Sequence, residues 1–135
     1  MTLVLDASVV VAWLLGDEGE AAERMMARLD GGLARVPAIW AAEVANALVV
    51  AERRGRVTEA QASRAAELAL AIPVRVAEVG EARTLRDVRL LARAHGLAAY
   101  DASYLELALA EHLPLATLDA RLAAAARSAG VELAG

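Results

Sequence analysis

Short apolar runs alternate along this chain with longer segments of helical periodicity, and this alternation constrains the fold more than any other feature. Strands are predicted at residues 2–5, 34–36, 74–79, 113–118 and 131–133. Strands separated by helices pair in parallel, and the helices then cover both faces of the sheet. We therefore predict an α/β fold in one domain over residues 1–135. It is a three-layer α/β/α sandwich with a short, mostly parallel central sheet of four to five strands.

Helical segments fill the intervals between the predicted strands. They are predicted at residues 8–15, 20–29, 39–53, 58–72, 81–95, 100–112 and 120–129. Thr58 and Gln61 have the residue types and spacing of a capping box, which predicts that a helix begins there.

Composition limits the class of protein. The hydrophobic fraction is 59%, above the roughly 45–50% of typical soluble domains, so apolar surface could remain for a partner chain. Cysteine is absent, which excludes disulfides and thiolate metal sites. The apolar runs are too short to span a bilayer, and the first residues lack the basic region of a signal peptide, so we expect a cytoplasmic protein without membrane association.

The charge balance argues against a protein that coats duplex nucleic acid. The net charge is −4, and the 14 basic residues are all arginine. Non-specific duplex binders usually carry a basic excess. An enzyme that binds a short stretch of nucleic-acid backbone through a few arginines remains compatible with this net charge.

Four acidic residues stand in stretches that are otherwise almost wholly apolar: Asp6, Glu43, Asp101 and Asp119. A carboxylate in such surroundings is costly unless a partner or a metal compensates its charge. None of the four has an arginine at helical spacing that could neutralise it, and oxygen ligands suit Mg²⁺ or Mn²⁺. Asp6 and Asp119 each follow a predicted strand, so parallel pairing places them on one edge of the sheet. These features favour a metal-dependent hydrolase of phosphodiesters.

Each acid also has a structural explanation. Asp6, Asp101 and Asp119 could cap the helices that follow them. Glu43 lies in the middle of a predicted helix, and Asn46 follows one turn later on the same side. A narrow polar stripe on an apolar helix is more typical of a site than of a solvated face.

Four motifs carry a resemblance to a known family. They are Leu5-Asp6-Ala7-Ser8, Glu43-Val44-Ala45-Asn46-Ala47-Leu48, Tyr100-Asp101-Ala102-Ser103-Tyr104 and Thr117-Leu118-Asp119-Ala120-Arg121-Leu122. In order, spacing and chain length they resemble the PIN-domain ribonucleases, and among these the VapC toxins of bacterial toxin–antitoxin pairs.

The resemblance implies a metal-dependent endoribonuclease that a VapB-type antitoxin holds inactive, and it makes a homodimer plausible. Asp6, Glu43 and Asp101 match the invariant acids of the family, and Asp119 matches a more variable fourth. Ser8 and Thr117 match hydroxyl positions beside these acids, and Asn46 matches a supporting amide.

The chemistry can also be argued from the residues. Carboxylates crowded at one sheet edge repel each other, so at least one should have a raised pKa without metal. One or two Mg²⁺ ions, for which Mn²⁺ could substitute, would relieve the repulsion. A metal-activated water would then attack phosphorus and leave a 5′-phosphate and a 3′-hydroxyl.

Other α/β proteins with acids at strand ends fit less well. A response-regulator receiver needs a lysine, and a dehalogenase-type phosphatase needs an acid where Ser8 stands. A dinucleotide-binding domain needs a glycine-rich turn after the first strand. Two alternatives stay open: a housekeeping PIN-type nuclease in RNA processing or flap removal, and a non-catalytic PIN scaffold that binds RNA or protein.

Overall fold

The computed structural model describes residues 1–17 and 19–135. Four short parallel strands form its central sheet, in the order β3-β2-β1-β4. Their bounds are β1 Leu3–Leu5, β2 Ala34–Val36, β3 Val74–Val76 and β4 Leu115–Ala116. The predicted parallel sheet is therefore confirmed, with four strands in the described residues.

Helices connect the strands. Their bounds are α1 Ala7–Leu15, α2 Gly19–Ala27, α3 Ile39–Arg53, α4 Glu59–Leu70, α5 Glu81–Arg83, α6 Arg89–His95, α7 Ala99–Glu111 and α8 Ala120–Ser128. The segment Thr84–Val88 joins α5 to α6 as a π-helical turn. Helix α1 packs against α2 and α3, whereas α7 packs against β1, β4 and α8. This is the predicted three-layer α/β/α arrangement, and among the described residues no helix is long and apolar enough to cross a membrane.

The predicted elements differ from the observed ones mainly in the strands. The strand predicted at 131–133 is reduced to a single bridge between Leu133 and Leu115. Because β4 has only two residues, it offers little backbone for a fifth strand to pair with. The helix predicted over 81–95 is interrupted by the π-helical turn. The capping box is confirmed, since the Gln61 backbone N–H donates to Thr58 Oγ1 over 3.1 Å and Gln61 Oε1 accepts from the Thr58 backbone N–H over 2.9 Å.

The sheet places all four strand ends along one edge. Strand β1 is fully buried on both faces, as expected for a central strand of a parallel sheet covered by helices. The residues directly after the strands are Asp6, Pro37, Ala77 and Thr117. In parallel α/β sheets this carboxyl edge is where ligands bind.

Candidate active site

Asp6 is anchored at the carboxyl edge by two hydroxyl groups. Its Oδ2 atom accepts hydrogen bonds from Ser8 Oγ at 2.5 Å and from Thr117 Oγ1 at 2.7 Å. The same hydroxyl oxygens accept from backbone N–H groups, Ser8 from Leu118 and Thr117 from Asp119. The network joins the ends of β1 and β4 and fixes the orientation of the Asp6 side chain. That side chain is almost fully buried.

Glu43 is held by a residue on another helix. Tyr104, which is fully buried on α7, donates its hydroxyl to Glu43 Oε1 over 2.6 Å. Burial and this hydrogen bond raise the pKa of the Tyr104 phenol, so it remains a proton donor. Sequence reasoning missed this role, although Tyr104 lies three residues after Asp101 and therefore on nearly the same side of α7.

The two remaining acids sit at helix starts in different ways. Asp119 is the N-cap of α8, and its Oδ1 atom accepts from the Leu122 backbone N–H over 3.0 Å. Asp101 lies within the first turn of α7, whose N-cap is Ala98. The capping explanation is therefore correct for Asp119 and wrong for Asp101. Asp6 occupies the N-cap position of α1, but its side chain makes no capping hydrogen bond and accepts from the hydroxyl groups of Ser8 and Thr117 instead.

The pKa of Asp6 is raised chiefly because burial disfavours its charged form. The negative charge of Asp119 raises this pKa further, whereas the hydrogen bonds from Ser8 and Thr117 lower it. An ionised Asp6 is thus only partly compensated by the protein.

Glu43 and Asp101 show the same tendency. Desolvation is the largest cause of the raised pKa of each residue. The charges of Asp6 and Asp101 add to the rise of the Glu43 pKa, while the Tyr104 hydrogen bond opposes it. The charges of Asp119 and Asp6 add to the rise of the Asp101 pKa. The structure therefore brings each of the four predicted acids close enough to be repelled by at least two of the others, and we call this set the carboxylate rim.

The rim offers hard oxygen donors without enclosing an ion. In Asp6, Glu43 and Asp119 one carboxylate oxygen accepts a hydrogen bond from the protein, so the other oxygen is available to bind a cation. Across residues 1–17 and 19–135, no group of three or more acidic, histidine or cysteine side chains is arranged closely enough to hold a metal ion. The donor chemistry fits Mg²⁺, which usually keeps several of its waters rather than occupying an all-protein cage.

Asn46 lies apart from this network. It is exposed on α3, one turn after Glu43, and its side chain makes no hydrogen bond to any residue in the described part of the chain. The structure thus places it on the predicted helix without joining it to the carboxylates.

A shallow depression of about 430 Å³ adjoins the rim and is lined in part by Ser8, Glu43 and Asp17. Arg56 Nη2 donates to both carboxylate oxygens of Asp17 at 2.9 Å. This partly exposed ion pair links the segment after α1 to the loop between α3 and α4, so it restrains Asp17 where that residue lines the depression.

Comparison with known proteins identifies the class that this fold and site define. Residues 3–128 match the PIN domain family, and the chain belongs to it. The chain is 36% identical to Ribonuclease VapC3 of Pyrobaculum aerophilum over 124 aligned residues. The alignment covers 91% of this chain and 93% of the relative. The resemblance to VapC-type PIN ribonucleases is thereby confirmed.

Solved structures agree with the fold. The crystal structure of PAE2754 from Pyrobaculum aerophilum superimposes with a TM-score of 0.69 at 29% identity, covering 93% of this chain and 87% of that one. The crystal structure of FitAcB from Neisseria gonorrhoeae gives a TM-score of 0.65 at 22% identity, covering 100% and 97%. At that identity the second comparison supports the fold alone.

Proposed function

We propose that this protein is a Mg²⁺-dependent endoribonuclease whose metal binds at the carboxylate rim of Asp6, Glu43, Asp101 and Asp119, directly to one or two of these carboxylates and to the others through the waters that it keeps, with Mn²⁺ as a substitute. The observation that carries the proposal is the convergence of buried or half-buried carboxylates near the carboxyl edge of the sheet, where burial and then their neighbours' charges raise the pKa of Asp6, Glu43 and Asp101. Without a cation, this arrangement costs free energy that a purely structural site would not need to bear. The family relationship supports RNA cleavage, because the relative VapC3 is named a ribonuclease.

Each residue of the site has a task that follows from its contacts. Ser8 and Thr117 hold Oδ2 of Asp6, and Tyr104 holds Oε1 of Glu43, so the free oxygens keep fixed directions. A carboxylate with a raised pKa is a better proton acceptor near neutral pH, which suits it to take a proton from an attacking water. A bound Mg²⁺ would activate that water and stabilise charge that develops on the phosphate. The products would be a 5′-phosphate and a 3′-hydroxyl.

The biological role that we propose is that of the toxin in a toxin–antitoxin pair. The support is the similarity to Ribonuclease VapC3, which extends over most of both chains. On this proposal the partners are an RNA substrate and a VapB-type antitoxin, the protein is cytoplasmic, and two copies form a homodimer. The apolar excess of the sequence, together with exposed large side chains such as Leu70 and Val76, is consistent with a protein partner.

The catalytic proposal is tested by incubating end-labelled single-stranded RNA with the protein and Mg²⁺, Mn²⁺ or EDTA. We expect cleavage with either metal and none with EDTA. Asp101→Asn should abolish cleavage, whereas Asp30→Asn, which changes an exposed aspartate outside the rim, should not. Cleavage that resists EDTA, or that persists at the wild-type rate in Asp101→Asn, would overturn the proposal.

The toxin role needs a separate test in cells. Induced expression should arrest growth, and co-expression of a small protein encoded directly upstream should relieve the arrest. Cleavage in vitro without growth arrest would favour a housekeeping PIN-type nuclease. RNA binding without metal-dependent cleavage would favour a non-catalytic PIN scaffold.

A further inference from the structure

A second cavity lies on the same edge of the sheet, and we call it the Tyr100 recess. It has a volume of about 250 Å³ and is formed by the start of α3, the segment after β3, the π-helical turn and the first turns of α7. Its lining includes Pro37, Ala77, Thr84, Val88, Tyr100 and Ser103.

The recess continues the line of the carboxylate rim. Pro37 follows β2 and Ala77 follows β3, just as Asp6 follows β1. Neighbouring strands are on the order of 5 Å apart, so the recess begins about one strand away from Asp6. Tyr100 is also the direct neighbour of Asp101 in sequence. A ligand that extends from Asp6 along the sheet edge toward β2 and β3 therefore reaches the recess next.

The chemistry of the walls suits a flat, mostly uncharged group. Glu106 lines the recess, but Arg83 neutralises it through a two-point ion pair made by Nε and Nη2. Ser103 Oγ donates to the Tyr100 carbonyl, so this hydroxyl is already engaged. Most of the remaining lining is aliphatic, and Tyr100, which also lines the recess, is 63% exposed.

The local backbone gives independent support. Thr84 and Val88, the first and last residues of the π-helical turn, both line the recess. Single π-helical turns are rare and occur frequently at functional sites. Here the turn widens the helix at the point where it forms the recess wall.

We infer that the Tyr100 recess binds the base of an unpaired nucleotide next to the scissile phosphate. Single-stranded RNA is recognised largely by stacking of splayed bases on aromatic side chains, and Tyr100 presents such a ring beside Asp101. The inference rests on the proposed function, because it names the subsite through which the same nuclease would hold its substrate. Tyr100 would thus contribute to substrate selection rather than to the chemical step.

The test measures RNA binding in EDTA, so that it does not depend on cleavage. A fluorescent single-stranded RNA is titrated by anisotropy, together with a series in which each position in turn is made abasic. For the wild-type protein we expect about a tenfold loss of affinity when one particular base is removed, as is usual for a stacked base.

The variants locate this effect. Tyr100→Ala should bind the intact RNA about tenfold more weakly and should no longer respond to the abasic position, whereas Tyr100→Phe should behave as wild type. Ala38→Leu, which adds bulk to an exposed residue of the lining, should resemble Tyr100→Ala. Leu85→Ala is the matched control, because Leu85 is 66% exposed on the same π-helical turn and is not one of the residues that line the recess.

The outcomes separate this inference from the proposed function. The inference alone would be overturned if the protein cleaves RNA in a metal-dependent way but its RNA affinity changes neither when bases are removed nor in Tyr100→Ala. Base-dependent binding that requires Tyr100, without any cleavage, would support the recess and overturn the nuclease. A change of oligomeric state in Tyr100→Ala, seen by sedimentation with unaltered RNA binding, would make the recess a protein interface and overturn the inference.

Discussion

The hydrogen bond between Tyr104 and Glu43 offers the sharpest single test of the site. The substitution Tyr104→Phe removes one oxygen atom from a fully buried side chain and keeps the ring. Packing should therefore be preserved, so any effect on stability reports the lost hydrogen bond.

The expected magnitude follows from the contact. A hydrogen bond to a charged acceptor contributes about 1.5–3 kcal/mol. Glu43 is only partly buried, so water can replace some of the lost interaction, and we expect a loss of about 1 kcal/mol. With an m-value of about 2 kcal/mol per molar urea, the midpoint of unfolding would fall by about 0.5 M.

The effect should depend on pH with a defined sign. The Tyr104 hydrogen bond lowers the pKa of Glu43 relative to burial alone, so it stabilises the ionised form of that residue. Its contribution is present when Glu43 is charged and is lost as falling pH protonates the carboxyl group. The destabilisation should therefore be larger at about pH 8 than at about pH 4.

The assay is urea unfolding of the metal-free protein at both pH values, with Tyr100→Phe as the control. Tyr100 is 63% exposed, so its variant should stay within about 0.5 kcal/mol of wild type. Equal losses at the two pH values, or a loss no larger than that of the control, would refute the role of Tyr104 as a donor to an ionised Glu43.

Three further predictions follow from the charges. Asp101→Asn should raise the melting temperature of the metal-free protein at neutral pH, because the charges of Asp119 and Asp6 and the burial of Asp101 all raise its pKa. In EDTA, stability should fall as the pH rises through the raised pKa values of Asp6 and Asp101, since the native state binds more protons than the unfolded state there; Mg²⁺ should weaken this dependence. Arg83→Met should cost about 2 kcal/mol in urea unfolding by leaving the buried Glu106 without its cation, and adding Glu106→Gln should recover most of that loss.

The fold was largely predictable because the sheet is buried between helices. Its central strand therefore reads as a short apolar run, and the helices show their own period; α3 was predicted with both of its ends correct. Strand ends were not predictable in the same way. Residues 113–118 are mostly apolar, yet only Leu115–Ala116 pair as a strand. The prediction was too long because a buried segment is apolar in sequence whether or not its backbone pairs in the sheet.

The site shows both the strength and the limit of the charge argument. An acid in an apolar stretch pointed to the four rim residues, and the structure brings them together. Glu106 satisfies the same criterion within Leu105-Glu106-Leu107, yet it is neutralised by Arg83 on another helix. Neither this pair nor the Tyr104–Glu43 bond has helical spacing, so only the packing of separate helices reveals them.

In Asp6, Glu43 and Asp119 one carboxylate oxygen accepts a hydrogen bond from another residue of the protein. This engagement affects which cation the carboxylate rim could bind, because each of these side chains would present mainly its second oxygen to a cation. Calcium commonly takes bidentate carboxylates and about six to eight ligands, whereas magnesium forms a compact octahedron. Carboxylates that each present one oxygen would disfavour the larger ion, so the groups that anchor them, namely the hydroxyls of Ser8, Thr117 and Tyr104 and the Leu122 backbone N–H, would also select against it.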